Sequence, residues 1–479
     1  MRIQVIARYM GLVLLVNALF MFIAVIISAI YGFDTGFSPL LLSAIITVTI
    51  GSFPYIFVRE SSEVTTREGY LIVVLSWALS CLFGMLPYLL WGGEFILINA
   101  WYESVSGFTT TGGTILTNIE AIPHSLLFWR ASTHWIGGMG VVLFMLLILP
   151  EVSSIRLRLS RIEISSLSQE SYRFRAKETV RVIAFIYFGL TLLETICLYL
   201  AGMNLFDAVC HSFSTIATGG FSTRNSSIAY YNSTAIDIIL IIFMGLSTLH
   251  FGMIFLLVAK RSGALFKSPV TRYYILTCLV VGLLISLDLW KTGTYESLGE
   301  AVRYGFFQTF CSISTTGFAT ADTSVWPAFS ILLLVFVIFQ GGCSGSTTGG
   351  IKSDRLLIAF YSIRAQITKK LHPRSVVPVR VGGHAIDPEL VSGVNLFIVL
   401  YLLCFLVAAL LIALSGVGIT EAVTSSAAHI GNVGPGFGSV GSMSNYSSFN
   451  GFAKFVLSVI MIMGRIELFG FFILFSSKK

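Results

Sequence analysis

Residues Asn99–Gly113 read NAWYESVSGFTTTGG, and three later stretches of the chain repeat this pattern. The later copies are DAVCHSFSTIATGG at 207–220, EAVRYGFFQTFCSISTTG at 300–317 and EAVTSSAAHIGNVG at 421–434. Each copy begins with an acid or an amide followed by alanine, and each ends at a glycine. With Gly112, Gly219, Gly317 and Gly434 taken as equivalent, the copies lie 107, 98 and 117 residues apart. Such self-similarity predicts one structural unit built four times.

Long apolar segments flank every copy. The chain has 479 residues, of which 55% are hydrophobic and 11% are charged, and this composition excludes a soluble protein. A transmembrane helix needs about 20 apolar residues. The ten windows that meet or approach this length are 9–31, 39–58, 69–91, 126–150, 179–201, 235–259, 270–290, 327–350, 390–415 and 452–476. The four copies, at 99–112, 207–219, 300–317 and 421–434, are too short to span and are predicted to be re-entrant.

The predicted fold is an all-α polytopic membrane protein. Four pseudo-symmetric helix–pore loop–helix repeats surround one pore and follow an N-terminal two-helix hairpin. The predicted divisions are the hairpin 1–68, repeat one 69–150, a cytoplasmic linker with repeat two 151–260, repeat three with an intramembrane gating loop 261–352, and a cytoplasmic linker with repeat four 353–479.

Basic residues predict the orientation of the chain. If every window spans once, 24 of the 30 Lys and Arg residues lie on one face. The positive-inside rule makes that face cytoplasmic, together with both termini and the linkers 151–178 and 353–380. The basic excess therefore needs no nucleic-acid partner to explain it.

The four loops have the chemistry of an ion path. An acid or an amide at the start of a short helix accepts its free N–H groups and suits its dipole. The partial negative C-terminal end is then expected to lie within the membrane. Non-helical backbone at that depth is tolerated only where it lines a water-filled path. Four such strands around one axis present carbonyl oxygens that can replace the water shell of a potassium ion.

With these loops, GGCSGSTTGGIK at 341–352 and GRIE at 464–467, the chain resembles the Trk/Ktr/HKT superfamily of potassium transporters, and within it the TrkH/TrkG branch. The resemblance implies a potassium-conducting protein of the bacterial inner membrane, not an enzyme, with potassium as its ion and no organic cofactor. It also implies a homodimer surrounded by membrane lipid, regulated by a cytoplasmic nucleotide-binding subunit of the TrkA type, with no nucleic acid.

The resemblance assigns a potassium filter to three residues of each loop. The assigned residues are Thr110, Thr111 and Gly112; Ala217, Thr218 and Gly219; Thr315, Thr316 and Gly317; and Asn432, Val433 and Gly434. The second and fourth triplets lack the first threonine, so we expect looser discrimination against sodium than in a channel with four identical strands.

Two segments below the filter are candidate gates. Arg465 lies within the last apolar window, where an arginine is costly and usually faces a cavity or an acid. It either opposes cations in the pore or forms an ion pair with Glu467 or another acid. The second candidate is a glycine-rich loop that either blocks the path or is a bent helix end. Its residues are Gly341, Gly342, Cys343, Ser344, Gly345, Ser346, Thr347, Thr348, Gly349 and Gly350.

The alternative function is an alternating-access, ion-coupled carrier. Carriers of that class are usually built from two inverted repeats around a closed midplane site. Four repeats of one orientation favour a pore, while symport with protons or sodium stays open.

Overall fold

The computed structural model describes residues 2–58, 66–148, 176–258, 265, 267–466 and 468. Within them the fold is all-α, apart from a two-stranded antiparallel hairpin that pairs Arg380–Val381 with His384–Ala385. This confirms the predicted all-α polytopic membrane fold. Most of the predicted linker 151–178 lies outside the described residues.

Six helices are long and apolar enough to cross a membrane by length and composition. They are Ile3–Ile30, Phe37–Phe57, Glu68–Trp91, Arg181–Leu200, Pro269–Lys291 and Pro388–Leu414. By hydrogen bonding the third is two helices, Thr66–Gly84 and Leu86–Trp91, and the fourth extends over Ala176–Leu200. These six correspond to six of the ten predicted windows.

The remaining four windows differ from simple spans. They contain His124–Ile148, the broken pair Thr234–Ser247 and Phe251–Val258, Ala328–Gln340, and Gly451–Arg465. The window 327–350 is helical only to Gln340, because the glycine-rich sequence that follows cannot maintain a helix. The window 452–476 is described as helix to Arg465, and residues 467 and 469–479 lie outside the described part.

Four short helices follow the predicted copies and are named pore helices one to four. They are Leu97–Phe108, Leu205–Ile216, Leu298–Ile313 and Ile419–Ile430. Each begins two residues before the acid or amide that the sequence pattern places first. In pore helix two, Asn204 caps the helix because its side chain accepts a hydrogen bond from the backbone N–H of Asp207 at 2.7 Å. Asp207 is therefore the third residue of the helix and not the first.

The predicted cytoplasmic linker 353–380 contains a helix that the sequence analysis missed, Ser353–Leu371. Asp354 lies in its first turn and Lys369 and Lys370 in its last, an arrangement that suits the helix dipole. Its average hydropathy is near zero because these polar residues alternate with apolar ones, so a search for long apolar runs passes over it.

The N-terminal hairpin packs on repeat one. Its two helices approach so closely that a Cβ on Gly11 would lie 2.5 Å from the carbonyl oxygen of Gly51, as in small-residue packing between membrane helices. In the connecting loop, Asp34 accepts hydrogen bonds from the hydroxyl and the backbone N–H of Ser125. Burial opposes ionisation of Asp34, but these bonds and those from Ser28 and Gly36 lower its pKa below the usual value.

Candidate ion pathway

Every pore helix ends in the same left-handed turn. The second residue after each helix has a positive φ, and the next residue donates its N–H to the carbonyl five residues back, as in a Schellman motif. The residues with positive φ are Thr110 at 51°, Thr218 at 58°, Thr315 at 55° and Asn432 at 54°. The paired bonds run from residues 111, 219, 316 and 433 to the carbonyls of 106, 214, 311 and 428. Threonine rarely adopts this conformation, whereas asparagine adopts it more readily, so strain recurs at the three matched threonines, as is common at functional sites.

The non-helical segment that follows each pore helix is named a strand. Two residues beyond the left-handed residue, each strand has a glycine with positive φ. These four, named the ring glycines, are Gly112, Gly220 and Gly317 at 81° and Gly434 at 95°. The second is Gly220 and not the predicted Gly219. Gly219 instead occupies the position of Thr111, Thr316 and Val433, so the register predicted for Ala217, Thr218 and Gly219 is one residue too early.

The four strands touch one another in a closed circle. A Cβ built on Gly112 would lie 2.0 Å from the carbonyl oxygen of Gly219, and one on Gly220 would lie 2.0 Å from that of Thr316. A Cβ on Gly317 would lie 2.0 Å from the oxygen of Val433, and one on Gly434 would lie 2.4 Å from that of Thr111. Repeat one therefore contacts two, two contacts three, three contacts four, and four contacts one. A single chain closes a ring of backbone, which only glycine permits at these positions.

The glycine-rich loop lies against the C-terminal ends of the pore helices, where the strands of the ring begin. Thr347 donates its hydroxyl to the carbonyl of Ile216 at 3.1 Å, and its own carbonyl accepts the hydroxyl of Thr218 at 3.1 Å. The N–H of Gly349 donates to the hydroxyl of Thr315 at 3.0 Å. A Cβ on Gly349 would lie 2.2 Å from the carbonyl oxygen of Gly431. The loop thus contacts repeats two, three and four.

Arg465 joins the loop to repeat one. The residue is 3% exposed, and its guanidinium donates to the carbonyls of Thr347 and, at 3.4 Å, of Gly137. Gly137 packs on pore helix one, since a Cβ there would lie 2.0 Å from the oxygen of Phe108. Among the described residues, the hydrogen-bond partners of the Arg465 guanidinium are the carbonyls of Thr347 and Gly137. Glu467, the acid offered as an alternative partner, lies outside the described residues. The two candidate gates, Arg465 and the glycine-rich loop, are therefore in direct contact with each other.

A family profile described as "TrkH: Cation transport protein" matches residues 39–479. The chain belongs to the TrkH family. It is 34% identical to the Trk system potassium uptake protein TrkH of Halomonas elongata and 35% identical to that of Escherichia coli, each over 99% of both chains. The crystal structure of the potassium transporter TrkH from Vibrio parahaemolyticus matches with a TM-score of 0.89 at 33% identity, covering 99% of both chains. This TrkH family member is thus a multi-pass membrane transport protein and not an enzyme.

A buried ion pair behind the ring escaped the sequence analysis. Arg130 and Glu103 meet at 2.6 Å, with side-chain exposures of 3% and 0%. Arg130 also donates to the carbonyl of Ser222 and lies over the ring of Phe221, 3.4 Å from its centroid. The pair therefore ties pore helix one to the strand of repeat two. An arginine inside the window 126–150 was the available signal.

We expect Glu103→Gln to destabilise this TrkH family protein by roughly 3–5 kcal/mol, because it leaves a buried arginine without its counter-charge. Thermal unfolding of the purified protein in detergent measures the effect. Glu421→Gln is the matched control, since Glu421 is a partly exposed acid at the start of pore helix four. An unfolding temperature of Glu103→Gln equal to that of the wild type would show that the buried arginine does not depend on Glu103 as its counter-charge.

Proposed function

We propose that this chain takes up potassium across the bacterial inner membrane through the backbone ring. The observation that carries the proposal is the closed circle of four strands, each in backbone contact with the next. The curated relatives, which this chain matches over 99% of their length, are named as potassium uptake proteins. This similarity supports the choice of potassium as the ion.

In this proposal the potassium ion is cargo, and no organic cofactor takes part. Backbone carbonyls of Thr110–Gly112, Thr218–Gly220, Thr315–Gly317 and Asn432–Val433 replace its hydration shell. The C-terminal ends of the pore helices add partial negative charge at the inner side of the ring. Because the four strands differ in side chains, we expect discrimination against sodium to be modest.

The glycine-rich loop and Arg465 form the proposed gate. The loop residues Gly341–Gly350 cover the inner end of the ring, and the contact between Arg465 and Thr347 holds them there. Opening then requires this contact and the bonds of Thr347 to Ile216 and Thr218 to break together.

The helix Ser353–Leu371 connects the gate to its proposed regulator. The hydroxyl of Ser344 in the loop donates to Asp354 at 2.7 Å, and the N–H of Ser353 donates to the carbonyl of Gly342 at 2.8 Å. A cytoplasmic nucleotide-binding subunit of the TrkA type that moves this helix would therefore move the loop. With both termini cytoplasmic and the chain paired as a homodimer, two such helices face the regulator.

Ion flux into proteoliposomes tests the proposed function. With potassium outside and the regulator absent, we expect slow potassium entry that follows the potassium gradient, exceeds sodium entry and continues when the proton and sodium gradients are zero. Empty liposomes are the control. Potassium entry that requires an imposed proton or sodium gradient would favour the ion-coupled carrier, and equal entry of potassium and sodium would contradict a potassium filter.

A further inference from the structure

Three of the four pore helices hold the strand that follows them through a side chain at one matched position. This position lies two residues before the last helical residue and is occupied by Ser106, Ser214, Cys311 and Ala428. Ser106 donates to the carbonyl of Gly113 at 2.6 Å, Ser214 to that of Phe221 at 2.8 Å, and Cys311 to that of Phe318 at 3.1 Å. In each case the acceptor is seven residues further along and directly follows the ring glycine.

In these three repeats, hydrogen bonds hold the strand both before and after its ring glycine, and together they are named the clamp. The backbone carbonyls of residues 106, 214 and 311 accept the N–H of the residue before the ring glycine, and the side chains hold the residue after it. A carbonyl that accepts from the pore helix is turned toward that helix and away from the centre of the ring. The clamp therefore marks the end of the section in which carbonyls line the ring. It also fixes the position of the strand backbone that carries those carbonyls.

Repeat four uses a different clamp. Ala428 has no donor in its side chain, and the hydroxyl of Tyr446 instead donates at 2.8 Å to the carbonyl of the ring glycine Gly434 itself, one residue earlier than the acceptors in the other repeats. Tyr446 packs edge-on against His429, which is bonded to Tyr102 at 2.6 Å. Each of the four strands thus has one side-chain donor behind it, and the donors differ in strength, because a thiol donates more weakly than a hydroxyl.

We propose that Ser106, Ser214 and Cys311 are positioning residues that set the preference for potassium over sodium, and that the thiol of Cys311 makes repeat three the most yielding strand. The proposal rests on the proposed function of the ring as the filter. A stiffer strand keeps its carbonyls at the spacing that suits potassium, whereas a yielding strand can close around the smaller sodium ion.

The test measures the ratio of potassium to sodium entry in proteoliposomes. We expect Ser106→Ala and Ser214→Ala to lower this ratio about fivefold, the typical effect of losing one buried hydrogen bond. Ser106→Cys should lower it less, and Cys311→Ser should raise it above the wild-type value. The matched control is Ser104→Ala, because Ser104 is a buried serine of the same helix that donates to the carbonyl of Cys81 at 2.7 Å, away from the ring.

The increase in Cys311→Ser separates positioning from general stability, since a destabilised strand can only lose selectivity. An unchanged ratio in Ser106→Ala, Ser214→Ala and Cys311→Ser would overturn the proposal, as would an equal loss in Ser104→Ala. If Gly112→Ala and Gly220→Ala lower the ratio while the serine variants do not, the filter stands and the clamp fails. If neither set changes the ratio, the filter assignment itself fails.

Discussion

Potassium flux through Arg465→Ala is expected to exceed that of the wild type about thirtyfold in the absence of any regulatory subunit. One unit charge at roughly 8 Å from the ion path, in an effective dielectric constant of about 20, opposes a cation by about 2 kcal/mol, which corresponds to a rate factor of about thirty. The substitution also removes the hydrogen bond that ties Thr347 of the loop to the helix Gly451–Arg465. Rubidium uptake at matched expression measures the flux.

Two further variants separate charge from tethering. Arg465→Lys keeps the charge but loses the planar guanidinium that bonds Thr347 and Gly137 together, so flux close to wild type would assign the barrier to charge. Deletion of 343–348 removes the loop and should raise basal flux while weakening control by the regulator. If Arg465→Ala leaves flux unchanged in a folded protein, the arginine is structural and the loop alone carries the gate.

We expect Gly220→Ala to lower the ratio of potassium to sodium entry about tenfold, the effect of a 1.4 kcal/mol change at the binding site. The new Cβ would lie 2.0 Å from the carbonyl oxygen of Thr316, and the residue holds a φ of 81° that alanine resists. The same reasoning applies to Gly112→Ala, Gly317→Ala and Gly434→Ala.

Gly189→Ala is the control for the ring glycines, since a Cβ there meets nothing within 4 Å in the described structure. Gly219→Ala tests the register: its Cβ would meet the side chain of His134 rather than backbone, so we expect a smaller loss than in Gly220→Ala. A larger loss in Gly219→Ala would restore the register predicted from sequence, and unchanged selectivity in all four ring variants would contradict the filter.

Sequence pattern was sufficient for the elements that repeat. The acid or amide at the start and the glycine at the end located all four pore helices, because capping and left-handed turns require particular residue types. The same pattern could not choose between Gly219 and Gly220. Two adjacent glycines are identical as letters, and only the φ angles and the contact with Thr316 distinguish them.

Contacts between distant segments were out of reach for the sequence. Arg465 and the loop 341–350 were each identified by an unusual residue type at membrane depth, but 118 positions separate Arg465 from Thr347, and no local rule joins them. Arg130 is a different case, because the rule applied to Arg465 applies equally to an arginine in the window 126–150. The helix Ser353–Leu371 was missed since its amphipathic composition gives no long apolar run.

The closure of the ring within one chain changes how mutations act on it. In a pore assembled from four identical subunits, a single codon alters all four strands at once. Here a single codon alters one strand and leaves three intact, so under the proposed filter function each substitution changes one quarter of the ring that sets ion preference. Pairs of substitutions in adjacent strands, such as Gly112 and Gly219 in contact, should then show coupling, while substitutions in opposite strands should combine additively.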